Sequence, residues 1–174
     1  MYIAIDFETT GLLAPTAAPL DVQPHIVQIA FLLLDPDFAE VTSFNELVRP
    51  PIHIPAEVSR IHGITDDQVK DRKTFAVFAK ELRSLSNEAT WIGQNVPFDQ
   101  GCLYHELRRL GTDWKPTPSL DLMDFIRAKW GKRRKLGDVY LDLFGERFAG
   151  AHDALADIRA TVKCLAALRK EFNV

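Results

Sequence analysis

Asp6 and Glu8 stand two residues apart in a run that is otherwise apolar or aromatic, Tyr2 to Phe7. On a strand, residues two apart share a face, so both carboxylates would point the same way and Phe7 the other. Two carboxylates on one face repel unless something positive lies between them. A divalent cation with its preference for oxygen ligands would serve, and so would a strand end that simply reaches water. Thr9, Thr10 and Gly11 follow, a small polar turn able to bring backbone N–H groups close to a substrate.

Three further groups extend the set. Asp99 falls early in a segment opened by Asn95, Val96 and Pro97. A first-turn acid is ordinary helix-dipole chemistry, and Asn95 could cap the same helix. His152 comes just before the last apolar-periodic segment and Asp157 about one turn inside it. At about 1.5 Å of rise per residue both can face one cleft from the helix start. A histidine titrates near neutrality and can take a proton from an attacking water. The alternative is that His152 and Asp153 cap the helix and Asp157 is an exposed acid. Each piece alone is commonplace. Together, four carboxylates and one histidine point to phosphodiester hydrolysis assisted by two divalent ions.

These side chains need a sheet and helix starts to hold them. Residues 2–7 read as a buried strand, 26–34 as a near-continuous apolar central strand, and 40–48 as the next strand after an Asp-Pro-Asp turn. Prolines 15 and 19 make residues 11–23 a loop, and Pro50, Pro51 and Pro55 make another. Thr74 is placed to cap a helix carrying Phe75, Phe78, Ala79, Leu82 and Leu85. A short strand at 90–93 precedes a helix from Pro97 to about Leu110, closed by Gly111. Residues 121–130, 136–144 and 153–172 complete the helical set. The order predicts a mixed α/β sheet in one domain spanning 1–174.

Bulk properties set limits. The chain has 174 residues, 47% hydrophobic and 26% charged, enough for one full core. Its longest apolar run, Ile29 to Leu34, is far short of the about 20 residues of a membrane span. The first strand starts almost at Met1, leaving no room for a leader peptide. Cys102 and Cys164 are isolated, and read as reduced, packed thiols in a cytoplasmic or nuclear protein. The net charge of −3 excludes a generic nucleic-acid coat but suits a carboxylate metal site. Against that background Arg127, Lys129, Lys132, Arg133, Arg134 and Lys135 form a local basic run with Trp130 inside it. It reads either as a solvated loop or as a grip on the backbone of a single strand.

Taken in order, the Asp-Phe-Glu-Thr-Thr-Gly string, Ile61-His62-Gly63-Ile64-Thr65, Asn95 to Asp99 and Ala151 to Asp157 resemble the DEDDh 3′→5′ exonucleases across essentially the whole chain. Within that family the resemblance is to the proofreading epsilon subunit of bacterial DNA polymerase III and its stand-alone relatives. It implies a ribonuclease H-like fold with a five-stranded mixed sheet. It implies two divalent ions, Mg²⁺ or Mn²⁺, about 4 Å apart. Asp6 would bridge both ions, Glu8 and Asp157 would complete one site, Asp99 would support the other through water, and His152 would be the general base. Thr9, Thr10 and Gly11 would hold the terminal nucleotide, with Leu12, His62 and Phe98 lining its pocket. The products would be nucleoside 5′-monophosphates.

The chain departs from the family in three places. Gln94 replaces the histidine that often precedes the asparagine, the loop from Leu12 to His25 is long and proline-rich, and the chain ends with its last helix. The last feature points to a free-standing enzyme without a polymerase tether, with a polymerase partner left open. Thr9 favours single-stranded DNA over short RNA, and Arg133 and Arg134 are the candidate backbone contacts. The competing expectations are an exoribonuclease and an inactive nucleic-acid-binding or polymerase-partner module.

Overall fold

The computed structural model describes residues 1–150 and 153–173. Five strands make one mixed sheet: β1 (Tyr2–Thr9), β2 (Ile26–Leu34), β3 (Glu40–Leu47), β4 (Thr90–Gly93) and β5 (Ser119–Asp121). Their spatial order is β3-β2-β1-β4-β5, with β1–β2 and β2–β3 antiparallel and β1–β4 and β4–β5 parallel. The helices are α1 (Ala56–His62), α2 (Asp66–Val69), α3 (Ala79–Glu88), α4 (Val96–Arg109), α5 (Leu122–Trp130), α6 (Leu136–Phe144) and α7 (Ala154–Phe172).

Strand alternation divides the core into two layers. Ile3, Ile5 and Phe7 of β1 pack in one cluster with Leu82 of α3 and Cys102, Leu103 and Leu107 of α4. Ala4 faces the opposite cluster, built from α5, α6 and α7 with Ile126, Val139, Ile158 and Leu165. Asp6 and Glu8 share the Ala4 face and are two of the half-exposed positions on this mostly buried strand. The same face receives α7, which brings Asp157. Cys102 and Cys164 are buried free thiols, and burial pushes Cys164 up to about 12. Among the described residues no helix is long and apolar enough to cross a membrane.

Three local features differ from the sequence reading. The proline-rich stretch expected as a loop contains α1, which starts after Pro55 and ends at Gly63 in the left-handed region (φ 77°). Thr74 precedes a 3-10 turn (Phe75–Val77) without a side-chain cap, and α3 begins only at Ala79. Residue 121 is not helical but ends β5, a strand of three residues that carries too little pattern to be seen by periodicity.

Candidate active site

The carboxylates converge at the carboxyl end of β1. Asp6 and Glu8 come from the strand, Asp157 from the first turn of α7, and Asp99 from the first turn of α4. Asp99 is buried and its Oδ1 accepts the Phe7 N–H at 3.0 Å, which fixes the start of α4 against the strand. The four acids sense one another. Burial first, then Asp157, raises Asp6 from 3.8 to about 6. Burial, then Asp6 and Asp157, raises Glu8 from 4.5 to about 7. Burial and Asp6 hold Asp99 well above the usual carboxylate range, against the opposing Phe7 N–H. Among the described residues no lysine or arginine is a cause of these shifts. Acids held in the protonated form by burial and mutual repulsion are a donor set suited to a hard divalent cation. Among the described residues no three such side chains are already closed into a ligand cage. His152 lies outside the described residues. Asp153 caps α7, its carboxylate accepting the Ala156 N–H at 3.0 Å.

Asp121, which the sequence reading missed, positions two helices at once. Its Oδ1 accepts the Asn95 N–H and the Met123 N–H, both at 2.8 Å, and its Oδ2 accepts the Val96 N–H at 3.1 Å. It therefore caps α5 in the ordinary way and takes the leading donors of α4 across the sheet. Asn95 occupies the cap position of α4 in the left-handed region (φ 75°), which asparagine tolerates, but its side chain does not cap. The sequence signal was an acid immediately ahead of an apolar helical run. Its second role joins segments 26 residues apart and leaves no local pattern.

The turn after β1 is shaped by its own hydroxyls. A β-bulge shifts the β1–β2 register between Glu8 and Thr9, the kind of break that re-aims side chains beside active sites. Thr9 and Thr10 are buried. The Thr9 hydroxyl donates to the Gly11 carbonyl at 2.7 Å, and Thr10 Oγ1 accepts the His25 N–H at 2.9 Å. The two hydroxyls thus serve the turn itself. Leu12, 85% exposed, projects from it, while Leu13 seats against α4 at Gly101, where an added Cβ would meet Leu13 Cδ1 at 2.5 Å.

His62 is the last residue of α1 rather than a loop residue. Its Nδ1 accepts the Ile64 N–H at 3.0 Å, which leaves the proton on Nε2. That nitrogen is buried near the Thr9 carbonyl without a hydrogen bond of ordinary geometry, and burial lowers the His62 pKa. A groove of about 350 Å³ links His62 with Gln28, Asn45, Arg72 and Asp153. Phe98 is half-buried against the core. A smaller cavity of about 150 Å³ is lined by Asp6, Asp157, Gln94, Leu136 and Thr161 on the other side of the acids.

The basic run is more engaged than its composition suggests. Arg127 pairs with Asp124, Lys129 with Glu171 and Arg134 with Asp142. The Arg134 guanidinium also lies 4.9 Å from the Trp130 ring centroid. Arg134, expected as a substrate contact, is thus committed within the protein. Lys132, Arg133 and Lys135 are exposed, and among the described residues no carboxylate pairs with them. Of the other histidines, His25 and His105 are buried and His53 sits in the open beside Asp66.

A five-stranded mixed sheet flanked by helices, with acids gathered where β1 ends, defines a ribonuclease H-like α/β fold of the DEDD nuclease type. The exonuclease family RNase T matches residues 3–165, and the chain belongs to this DEDDh group of 3′→5′ exonucleases, a family of hydrolases. It is 27% identical over 172 residues to the PolC-type DNA polymerase III of Streptococcus pneumoniae, covering 98% of this chain and 11% of that protein. It is 28% identical over 127 residues to the 3′-5′ exonuclease DinG of Bacillus subtilis, covering 72% of this chain and 13% of that protein. The chain thus spans about a tenth of the length of these curated relatives. Among solved structures, exonuclease X in complex with 5′ overhanging duplex DNA superposes with a TM-score of 0.73 at 22% identity, covering 100% of this chain and 94% of that one. E. coli exonuclease I in complex with a dT13 oligonucleotide gives 0.77 at 22% identity, covering 99% and 42%. The nuclease domain of 3′hExo, a DEDDh family member bound to rAMP, gives 0.74 at 18% identity, covering 98% and 92%. These likenesses show the fold.

Proposed function

We propose that this chain is a single exonuclease domain that removes nucleotides one at a time from the 3′ end of single-stranded DNA, releasing nucleoside 5′-monophosphates. The observation that carries the reading is the set of carboxylates Asp6, Glu8 and Asp99, raised by burial and by the acids around them, Asp157 included, with no lysine or arginine among the described residues a cause of the shifts. Such a set is poised to exchange protons for cations. Asp6, Glu8, Asp99 and Asp157 would hold two divalent ions, Mg²⁺ or Mn²⁺, which supply charge stabilisation for an in-line displacement and a more acidic water. His152, one residue ahead of the α7 cap, accepts the proton of the attacking water; this assignment rests on its place in the sequence. The Thr9–Gly11 turn offers its backbone to the terminal nucleotide, with Leu12, His62 and Phe98 around the base and sugar. Arg133 meets the strand's phosphates. The similarity to a DNA polymerase III supports DNA as the substrate; short RNA is the alternative.

The test is a gel time course on 5′-labelled DNA and RNA oligomers, with free or blocked 3′ ends, in Mg²⁺, Mn²⁺ or EDTA. A metal-dependent ladder shortening only from free 3′ ends is the expected result, with DNA faster than RNA. Binding without cleavage of either polymer would instead support an inactive nucleic-acid-binding module.

A further inference from the structure

Gln94 follows the last residue of β4 and precedes Asn95, whose N–H is held by Asp121. Its backbone is therefore fixed on both sides. Its side chain lines the cavity that also contains Asp6 and Asp157, and its Nε2 donates to the Arg134 carbonyl at 3.0 Å. The partner residue lies 40 positions away in the segment between α5 and α6. Arg134 is held there by its own side chain as well, through Asp142 and the face of Trp130. Its neighbours Arg133 and Lys135 are both exposed. Lys135 is extended (φ −72°, ψ 146°), and in extended chain successive side chains point to opposite sides. Arg134 is thus anchored at both its carbonyl and its guanidinium, while Arg133 and Lys135 on either side of it face solvent.

We infer that Gln94 is a positioning residue: its amide ties the basic segment 131–135 to the rim of the carboxylate site, and so sets where Arg133 and Lys135 meet the backbone phosphates of the strand being degraded. The inference rests on the exonuclease reading above and adds a residue to it. Gln94 itself touches neither substrate nor ion. It acts on a polyanion long enough to reach past the reacting nucleotide, and is indifferent to a substrate that does not.

That difference supplies the experiment. Wild type, Gln94→Leu, Gln94→His, Arg133→Ala and the Gln94→Leu/Arg133→Ala double variant are compared on a single-stranded DNA 20-mer and on the p-nitrophenyl ester of thymidine 5′-monophosphate. Leucine removes the donor at similar volume, and histidine restores an N–H. Gln94→Leu is expected to raise KM for the 20-mer roughly three- to tenfold, the scale of one hydrogen bond, with kcat within about twofold. The salt dependence of KM should flatten by about one phosphate contact. Turnover of the small ester should stay at the wild-type level, which also shows that the variant is folded. Gln94→His should recover most of the KM, and Gln94→Leu should add less loss on top of Arg133→Ala than it causes in the wild type, because only Lys135 is then left to misplace. An unchanged KM for the 20-mer overturns the inference, as do equal losses on both substrates or additive losses in the double variant. A wild-type protein that cleaves neither substrate overturns the exonuclease reading instead.

Discussion

The carboxylate site is flanked by two walls built on opposite principles. On one side the Thr9–His25 loop is pinned by a buried polar network. Glu106 of α4, its side chain 7% exposed, accepts the Ile26 N–H at 3.0 Å and contacts His25 Nδ1 at 3.1 Å and the Arg109 guanidinium at 3.2 Å. Arg109 in turn donates to the carbonyls of Leu20, Gln23 and Pro24. Gln23 closes the neck of the loop, its Oε1 accepting the Ala14 N–H at 3.1 Å. On the other side, segment 131–135 hangs from the Arg134–Asp142 ion pair, the face of Trp130 and the Gln94 amide, and the side chains of that ion pair are 20% and 39% exposed. Buried charges that satisfy one another specify a unique geometry, because losing one strands the rest. Surface pairs are screened and individually weak. The first wall is thus built to present a fixed shape, as selection of a terminal nucleotide requires. The second is built to present charge, as a grip on any sequence requires.

The largest expected effect removes what lies between the walls. Asp6→Ala should lower turnover by at least about a thousandfold, the scale of losing a principal electrostatic contributor. Thermal unfolding in EDTA should show the variant no less stable than wild type, since an acid whose charged form is disfavoured by burial and by Asp157 has been removed. An active Asp6→Ala protein would overturn the site assignment.

The walls themselves should differ in stability terms. Glu106→Ala strands His25, Arg109 and the Ile26 N–H, and should cost about 3–5 kcal/mol in urea unfolding. Asp142→Ala, which breaks an ion pair of the second wall, should cost about 0–1 kcal/mol. Similar losses at the two positions would erase the distinction. Asp121→Ala should fall between them, at about 1–2 kcal/mol for a double cap, and should lower kcat because α4 carries Asp99.

How much of this was visible beforehand follows from the range of each interaction. Strand alternation alone put Asp6 and Glu8 on one face, and helix-start position alone placed Asp99 and Asp157. Those are local periodicities, and the fold keeps them. The network of the first wall joins His25 to Glu106 across 81 residues, and neither side chain has a neighbour in sequence that hints at the other. The basic run failed differently. Its charges were plain, but which were already paired depended on Glu171 and Asp142, brought in by α7 and α6. β5 was lost to its length, and α1 to the prolines that precede it.

The pH dependence of stability tests the site that the walls enclose. Asp6 and Glu8 have folded-state values of about 6 and about 7, above their ordinary 3.8 and 4.5. Between about pH 4 and pH 7 the folded chain therefore binds more protons than the unfolded one, and these two groups make stability fall as pH rises. In EDTA the Tm should decline across that window. Mg²⁺ or Mn²⁺ competes with the same protons, so the rise in Tm on adding metal should be small at pH 5 and larger at pH 8. The Asp6→Asn/Glu8→Gln double variant should flatten the EDTA profile and lose most of the metal response. A wild-type Tm that climbs with pH in EDTA, with the climb lost in the double variant, would mean that a cation of the protein already pairs with these acids.

The smallest effect belongs to the second wall. Arg133→Ala should weaken binding of a single-stranded 20-mer only a few-fold at low salt and reduce the slope of log affinity against log salt by about one contact. The unfolding midpoint should not move, because Arg133 is exposed and among the described residues pairs with no carboxylate. Arg134→Ala tests the contrast within the same segment. It removes the partner of Asp142 and the cation over Trp130, so it should lower stability by up to about 1 kcal/mol and reach the substrate only by loosening Arg133. If Arg134→Ala instead changes the salt slope by a full contact with stability intact, Arg134 faces the strand during binding and the pairing seen here is exchanged for phosphate. The second wall would then be remade by its ligand, while the first, fixed by Glu106, would not.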